Sequence, residues 1–77
     1  MHVLLFAGLA ERLGVRTLEV QAPQPGSVKE LRERLAQHHA ALSGAVYRVS
    51  VNRSYASETD ALSEGDEIAL IPPVSGG

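Results

Sequence analysis

Residues 67–73 read EIALIPP, and VSGG follows to Gly77. In an extended strand Ile68 and Leu70 point to one side while Ala69 and Ile71 point to the other. Both sides are apolar, the pattern of a strand buried in a sheet with something against each face. Pro72 and Pro73 have no N–H to donate, so pairing stops there. The opening run HVLLFA (residues 2–7) has the same character, with Val3 and Leu5 on one face and Leu4 and Phe6 on the other. Two such strands in one short chain predict a sheet whose inner face meets a helix and whose outer face is also apolar.

The segments between them supply the rest. GLAERLG (8–14) spaces Leu9 and Leu13 four apart between glycines and reads as a short helix. RTLEVQA (16–22) alternates, with Leu18 and Val20 opposite Thr17, Glu19 and Gln21, and predicts a strand in hairpin contact with the first. PQPG (23–26) interrupts the pattern. Ser27 then caps a helix, with Glu30 three residues on to complete a capping box. Val28, Leu31 and Leu35 form its apolar stripe, Lys29, Arg32, Glu33 and Arg34 face solvent, and it ends near His39 with Gly44 in the loop beyond. AVYRVSV (45–51) is a strand with Val49 and Val51 in phase with Tyr47. Asn52-Arg53 turns into a short strand at Tyr55, and EGDE (64–67) turns into the last one. The order β-(short α)-β-α-β-β-β is α+β and suits a β-grasp: a mixed sheet with one main helix packed on one face. Two covers are available for the outer face. The loop from Tyr55 to Leu62 closes over it, or another protein docks there with Phe6 and Ile71 as anchors.

Composition excludes several classes of function. Hydrophobic residues make up 44% of the 77 and charged residues 21%, a globular balance. The formal net charge of −2 gives no basic field for nucleic acid or anionic lipid, and no apolar run approaches spanning length, so neither nucleic acid nor membrane is expected as a partner and the cytoplasm is the expected location. The chain has no cysteine, hence no disulfide, thiolate metal site or thiol nucleophile of its own. His38 and His39 are adjacent and point about 100° apart on a helix, so they suit an exposed helix end better than a shared metal. Glycines 8 and 14 have no phosphate-loop spacing, and Ser27 is a cap rather than a nucleophile. The acidic turn Glu64, Asp66 and Glu67 is a solvated turn first and a docking point for a basic partner second. No internal active site, cofactor or metal site is expected.

The distinctive feature is the end. Residues 1–71 read as the domain and 72–77 as an extended arm. With φ fixed at Pro72 and Pro73, six residues reach about 20 Å. Val74 to Gly77 are expected to project from the domain; Ser75 is small and Gly76 and Gly77 have no side chain, so a narrow tunnel admits the backbone. At average glycine usage a terminal Gly-Gly arises by chance in about 0.5% of chains. A carboxylate is a weak electrophile at neutral pH, so a reactive Gly77 needs activation by a partner, and any sulfur must come from outside.

VLLFA with ERLG, SVKELRERL, VSVN (49–52) and above all LSEGDEIALIPPVSGG (62–77) resemble, over essentially the whole chain, the molybdopterin synthase small subunits of the MoaD family, ubiquitin-like sulfur carriers. The resemblance implies that an ATP-dependent activating enzyme (MoeB-like) adenylates Gly77, so that ATP belongs to that enzyme, and that a sulfur donor protein supplies the sulfur of a thiocarboxylate. It also implies that the tail, Pro72 to Gly77, enters a large subunit (MoaE-like) in a heterotetramer and donates sulfur to a pyranopterin precursor. Phe6, Leu62 and Ile71 fall where the family places apolar partner contacts. The chain departs from the pattern at Ala10, where members often carry arginine; Arg12 is near but not equivalent. Three other functions share some of these features: a thiamine-type sulfur carrier, which usually lacks the Pro-Pro step, a protein modifier joined to lysines through Gly77, and an interaction domain with an inert tail.

Overall fold

The structure, a computed structural model, describes residues 1–73. Its elements in chain order are β1 (His2–Leu5), α1 (Ala7–Leu13), β2 (Thr17–Glu19), α2 (Val28–His38), α3 (Ala40–Ser43), β3 (Arg48–Val51), β4 (Ser54–Tyr55) and β5 (Ile68–Ile71). The strands form one mixed sheet in the order β2-β1-β5-β3-β4. β1 and β5 run parallel at its centre and the other neighbours are antiparallel. With α2 on one face, this is the β-grasp.

Strand register explains the core. Leu18, Val3, Ile68 and Val51 are successive cross-strand partners, and so are Leu5, Leu70 and Val49. These inner rows meet Val28, Leu31 and Leu35 of α2; Val3, Val28, Leu31, Val49, Ile68 and Leu70 have no solvent exposure. Burial of this stripe against the sheet is the main source of stability, since α2 is too short to persist alone in water. The Ser27 hydroxyl accepts from the Glu30 N–H at 3.3 Å, while the Glu30 carboxylate reaches one residue further back than a standard capping box, to the Gly26 N–H at 2.8 Å.

Several expectations need correction. The strands are shorter than their apolar runs. β1 stops at Leu5, so that Phe6 caps α1, and Tyr47, before β3, is a core residue. A short helix, α3, follows α2 and buries Leu42. Arg32 and Arg34 are not simply solvent-facing. Arg34 Nη1 donates to the carbonyls of Gln21 and Pro23, and Arg32 ties α2 to Tyr47 and Glu58. The loop from Tyr55 to Leu62 does not cover the outer face. Its backbone bonds to the start of α2 instead: Val28 N–H to Asp60, Lys29 N–H to Glu58 and Leu62 N–H to Gly26. Leu62 is consequently 7% exposed and belongs to the core, away from the surface where an apolar partner contact would lie.

Candidate functional site

The outer face of the sheet follows from the same register. Thr17, Leu4, Ala69, Ser50 and Tyr55 are consecutive partners in one row across all five strands. Beside that row Arg48 pairs with Ile71, the last residue of β5. Ala69 and Ser50 are small and lie at the bottom, 8% and 5% exposed, beneath larger neighbours. The result is a groove of about 530 Å³ with Leu4, Phe6 and Ile71 on one side and Tyr55 with Arg53 on the other. Phe6 and Tyr55 are 48% and 55% exposed, large apolar surfaces left to water in a domain with little core to spare.

The polar end of the groove is built by two turns. Asn52 and Arg53 both have positive φ, 52° and 69°, which matches the two-residue turn favoured between right-twisted strands. Asn52 Nδ2 donates to Asp66 Oδ1 at 3.0 Å, and its Oδ1 accepts from the Glu67 N–H at 2.9 Å, pinning this turn to the one preceding β5. Asp66 Oδ2 accepts from the Ser63 N–H at 2.7 Å. The Ser63 and Asn52 bonds hold the Asp66 carboxyl below the usual carboxylate range. Within the acidic turn, then, Asp66 is a structural acceptor. Arg53 Nε bonds Glu67 Oε1 at 3.3 Å, while Arg48 lies over the Tyr55 ring, 3.7 Å from its centroid. These groups around Tyr55 escape a motif search. The signal that locates them is the alternation of RVSV, which puts Arg48 and Ser50 opposite Val49.

Of the sequence-predicted site residues, Phe6 and Ile71 lie on this groove, Pro72 and Pro73 follow it out of the sheet, and Leu62 lies elsewhere. Val74, Ser75, Gly76 and Gly77 fall outside the described residues. Ala10 packs partly buried against the core from α1, so no polar side chain extends from that position, and Arg12 is exposed at the end of the same helix. A second cleft, between β2 and α2, is lined by Gln21, Pro23, Leu35 and His38 and crossed by Arg34. Among the described residues no three His, Asp or Glu side chains cluster as metal ligands, and no helix is long and apolar enough to cross a membrane.

The chain is similar to known proteins over its whole length. Residues 3–77 match the model of the ThiS family. The chain is 37% identical to small archaeal modifier protein 1 of Haloferax volcanii, with both chains covered completely. A crystal structure of that protein superposes with a TM-score of 0.80, at 36% identity and covering 99% and 97% of the two chains. It is also 37% identical to the molybdopterin synthase sulfur carrier subunit of Escherichia coli, covering 100% of this chain and 99% of the relative. A complex of subunits 1 and 2 of the molybdopterin-converting factor of Helicobacter pylori contains a chain that aligns with a TM-score of 0.69 at 27% identity, covering 99% and 96%.

Proposed function

Since the chain belongs to the ThiS family, we propose that it is the sulfur-carrier small subunit of a molybdopterin synthase, loaded and discharged at the carboxylate of Gly77. The observation that carries this is the open apolar groove at the end of β5, from which Pro72 and Pro73 lead towards Gly77, in a chain matched over its full length to sulfur carrier subunits. The carboxylate attacks the α-phosphate of ATP in an activating enzyme and releases pyrophosphate. A persulfide on a donor protein then attacks the acyl carbon and displaces AMP. A second thiol of the partner proteins cleaves the resulting acyl disulfide, forming a disulfide with the donor sulfur and leaving the thiocarboxylate on Gly77. The groove docks on a large subunit through Phe6 and Ile71 while the tail enters that subunit's active site. There its sulfur bonds to a pyranopterin precursor and water cleaves the Gly77 C–S bond, restoring the carboxylate. The small domain is the rigid handle; the catalysts are its partners. A large-subunit partner is supported by the Helicobacter pylori complex of two subunits.

Intact-mass spectrometry of the chain, incubated with ATP, an activating enzyme and a sulfur source, tests this directly. The expected product is heavier by the difference between one sulfur and one oxygen, and removal of Gly77 abolishes it and molybdopterin formation together. An unchanged mass contradicts the proposal. The full-length identity to a small archaeal modifier protein favours a second function. There the same activated carboxylate is attacked by a lysine amine, and the diagnostic product is a much heavier conjugate.

A further inference from the structure

Two arginines flank Tyr55 on the outer face, and they are in different electrostatic states. Arg53 is paired with Glu67. Arg48 is exposed and, among the described residues, makes no ion pair; what holds it is the Tyr55 ring beneath its guanidinium. A guanidinium stacked on an aromatic face keeps its N–H donors in the plane of the fork, pointing outward, while the ring restricts its rotamers. Little further entropy is lost when a planar anion meets it. Its position is also specific. Arg48 is the cross-strand partner of Ile71, so this cation stands at the rim of the apolar groove where β5 gives way to Pro72. In a chain of net charge −2 it is a local positive site beside the surface assigned to docking.

We propose that Arg48, oriented by Tyr55, is a specificity determinant of the docking face and forms an ion pair with a carboxylate of the large subunit seated on the groove. The inference rests on the docking assignment made above and adds to it the chemistry the partner must present: an apolar anchor site for Phe6 and Ile71 with an aspartate or glutamate beside it. The apolar contacts supply area. The paired charges set the approach and the register in which the tail enters.

Calorimetric titration of the full chain into the large subunit of the same organism tests this, using wild type, Arg48→Gln, Arg48→Lys and Phe6→Asp. At about 50 mM salt Arg48→Gln is expected to weaken binding about tenfold, and at about 500 mM, where the pair is screened, by about twofold or less. Arg48→Lys keeps the salt dependence and regains part of the affinity, because the charge stays and the fork is lost. A wild-type affinity and salt slope for Arg48→Gln, while Phe6→Asp binds weakly, overturns the ion pair and leaves docking intact. A loss of equal size at both salt concentrations also overturns it, since packing against Tyr55 then accounts for the effect. A gain in affinity identifies a basic partner surface and overturns it too. If wild type does not bind, or Phe6→Asp binds as well as wild type, the docking assignment itself fails and takes the inference with it.

Discussion

Arg32 and Tyr47 are joined twice: the guanidinium carbon lies 4.5 Å from the centroid of the Tyr47 ring, and Nη2 donates to the Tyr47 carbonyl at 2.9 Å. The Nε edge of the same group faces Glu58 Oε1 at 3.1 Å, an electrostatic contact rather than an aligned hydrogen bond. One side chain on α2 thus fastens the segment entering β3 and the loop that returns to Ser27. Arg32→Leu should cost about 1–2 kcal/mol from the lost hydrogen bond and cation–π contact. Glu58→Gln should cost about 0.5 kcal/mol or less, because that carboxylate is largely exposed. Urea unfolding measures both, and an unchanged midpoint for Arg32→Leu would show that the contacts are not stabilising.

Leu31 has no solvent exposure and sits between α2 and the sheet. Leu31→Ala is expected to destabilise by about 2–5 kcal/mol, the transfer loss plus the cavity left behind. Against a total of about 5–15 kcal/mol for a domain, that removes much of the margin. Thermal melting followed by circular dichroism should show a large fall in Tm. A small fall would mean that the neighbouring leucines close the cavity.

Ile71 is only half-buried and lies on the outer face, so its replacement divides stability from binding. Ile71→Asp should change the folding free energy by about 1 kcal/mol or less. It should weaken large-subunit binding by about tenfold or more, as expected for an anchor. A stability loss matching that of Leu31→Ala would place Ile71 in the core instead.

Gly14 ends α1 with φ of 75° and donates its N–H to the Ala10 carbonyl. A Cβ at this position meets no neighbour, so the cost of a side chain is purely conformational. Gly14→Ala is expected to cost about 1–2 kcal/mol, and Gly14→Asn less, since asparagine tolerates this region. Equal stability of the two variants would contradict the backbone explanation.

Asp66 makes stability depend on acid. Its folded carboxyl titrates below the unfolded one because the Ser63 N–H, and secondarily Asn52, stabilise the anion. On acidification the unfolded chain therefore takes up the proton first. The contribution is complete above the unfolded value of about 3.9 and is lost as pH falls through the lower folded value. Wild type should exceed Asp66→Asn in Tm near neutrality, with the gap closing in strong acid. A gap that does not change with pH would rule out this linkage.

What the sequence determined by itself was whatever depends on local period and local chemistry. The i, i+3, i+7 stripe of Val28, Leu31 and Leu35 specified α2 and its buried face, Ser27 and Glu30 its start, and the alternation around Leu18 and Val49 the strands. The two-sided apolar character of β1 and β5 already indicated apolar surface on both faces of the sheet, while their central place in the strand order came from the pairing. Tertiary structure decided the rest, because it depends on which distant segments become neighbours. Leu62 in LSEGDE looks like a surface residue until its loop bonds back to Gly26 and carries it into the core. The same loop, having gone to the edge of α2, leaves the outer face open. Arg48 and Tyr55 are seven residues apart in a stretch with no motif, and only the β3–β4 pairing stacks one on the other beside Ile71. Periodicity sorts residues between two faces; only long-range strand pairing sets which side chains share one.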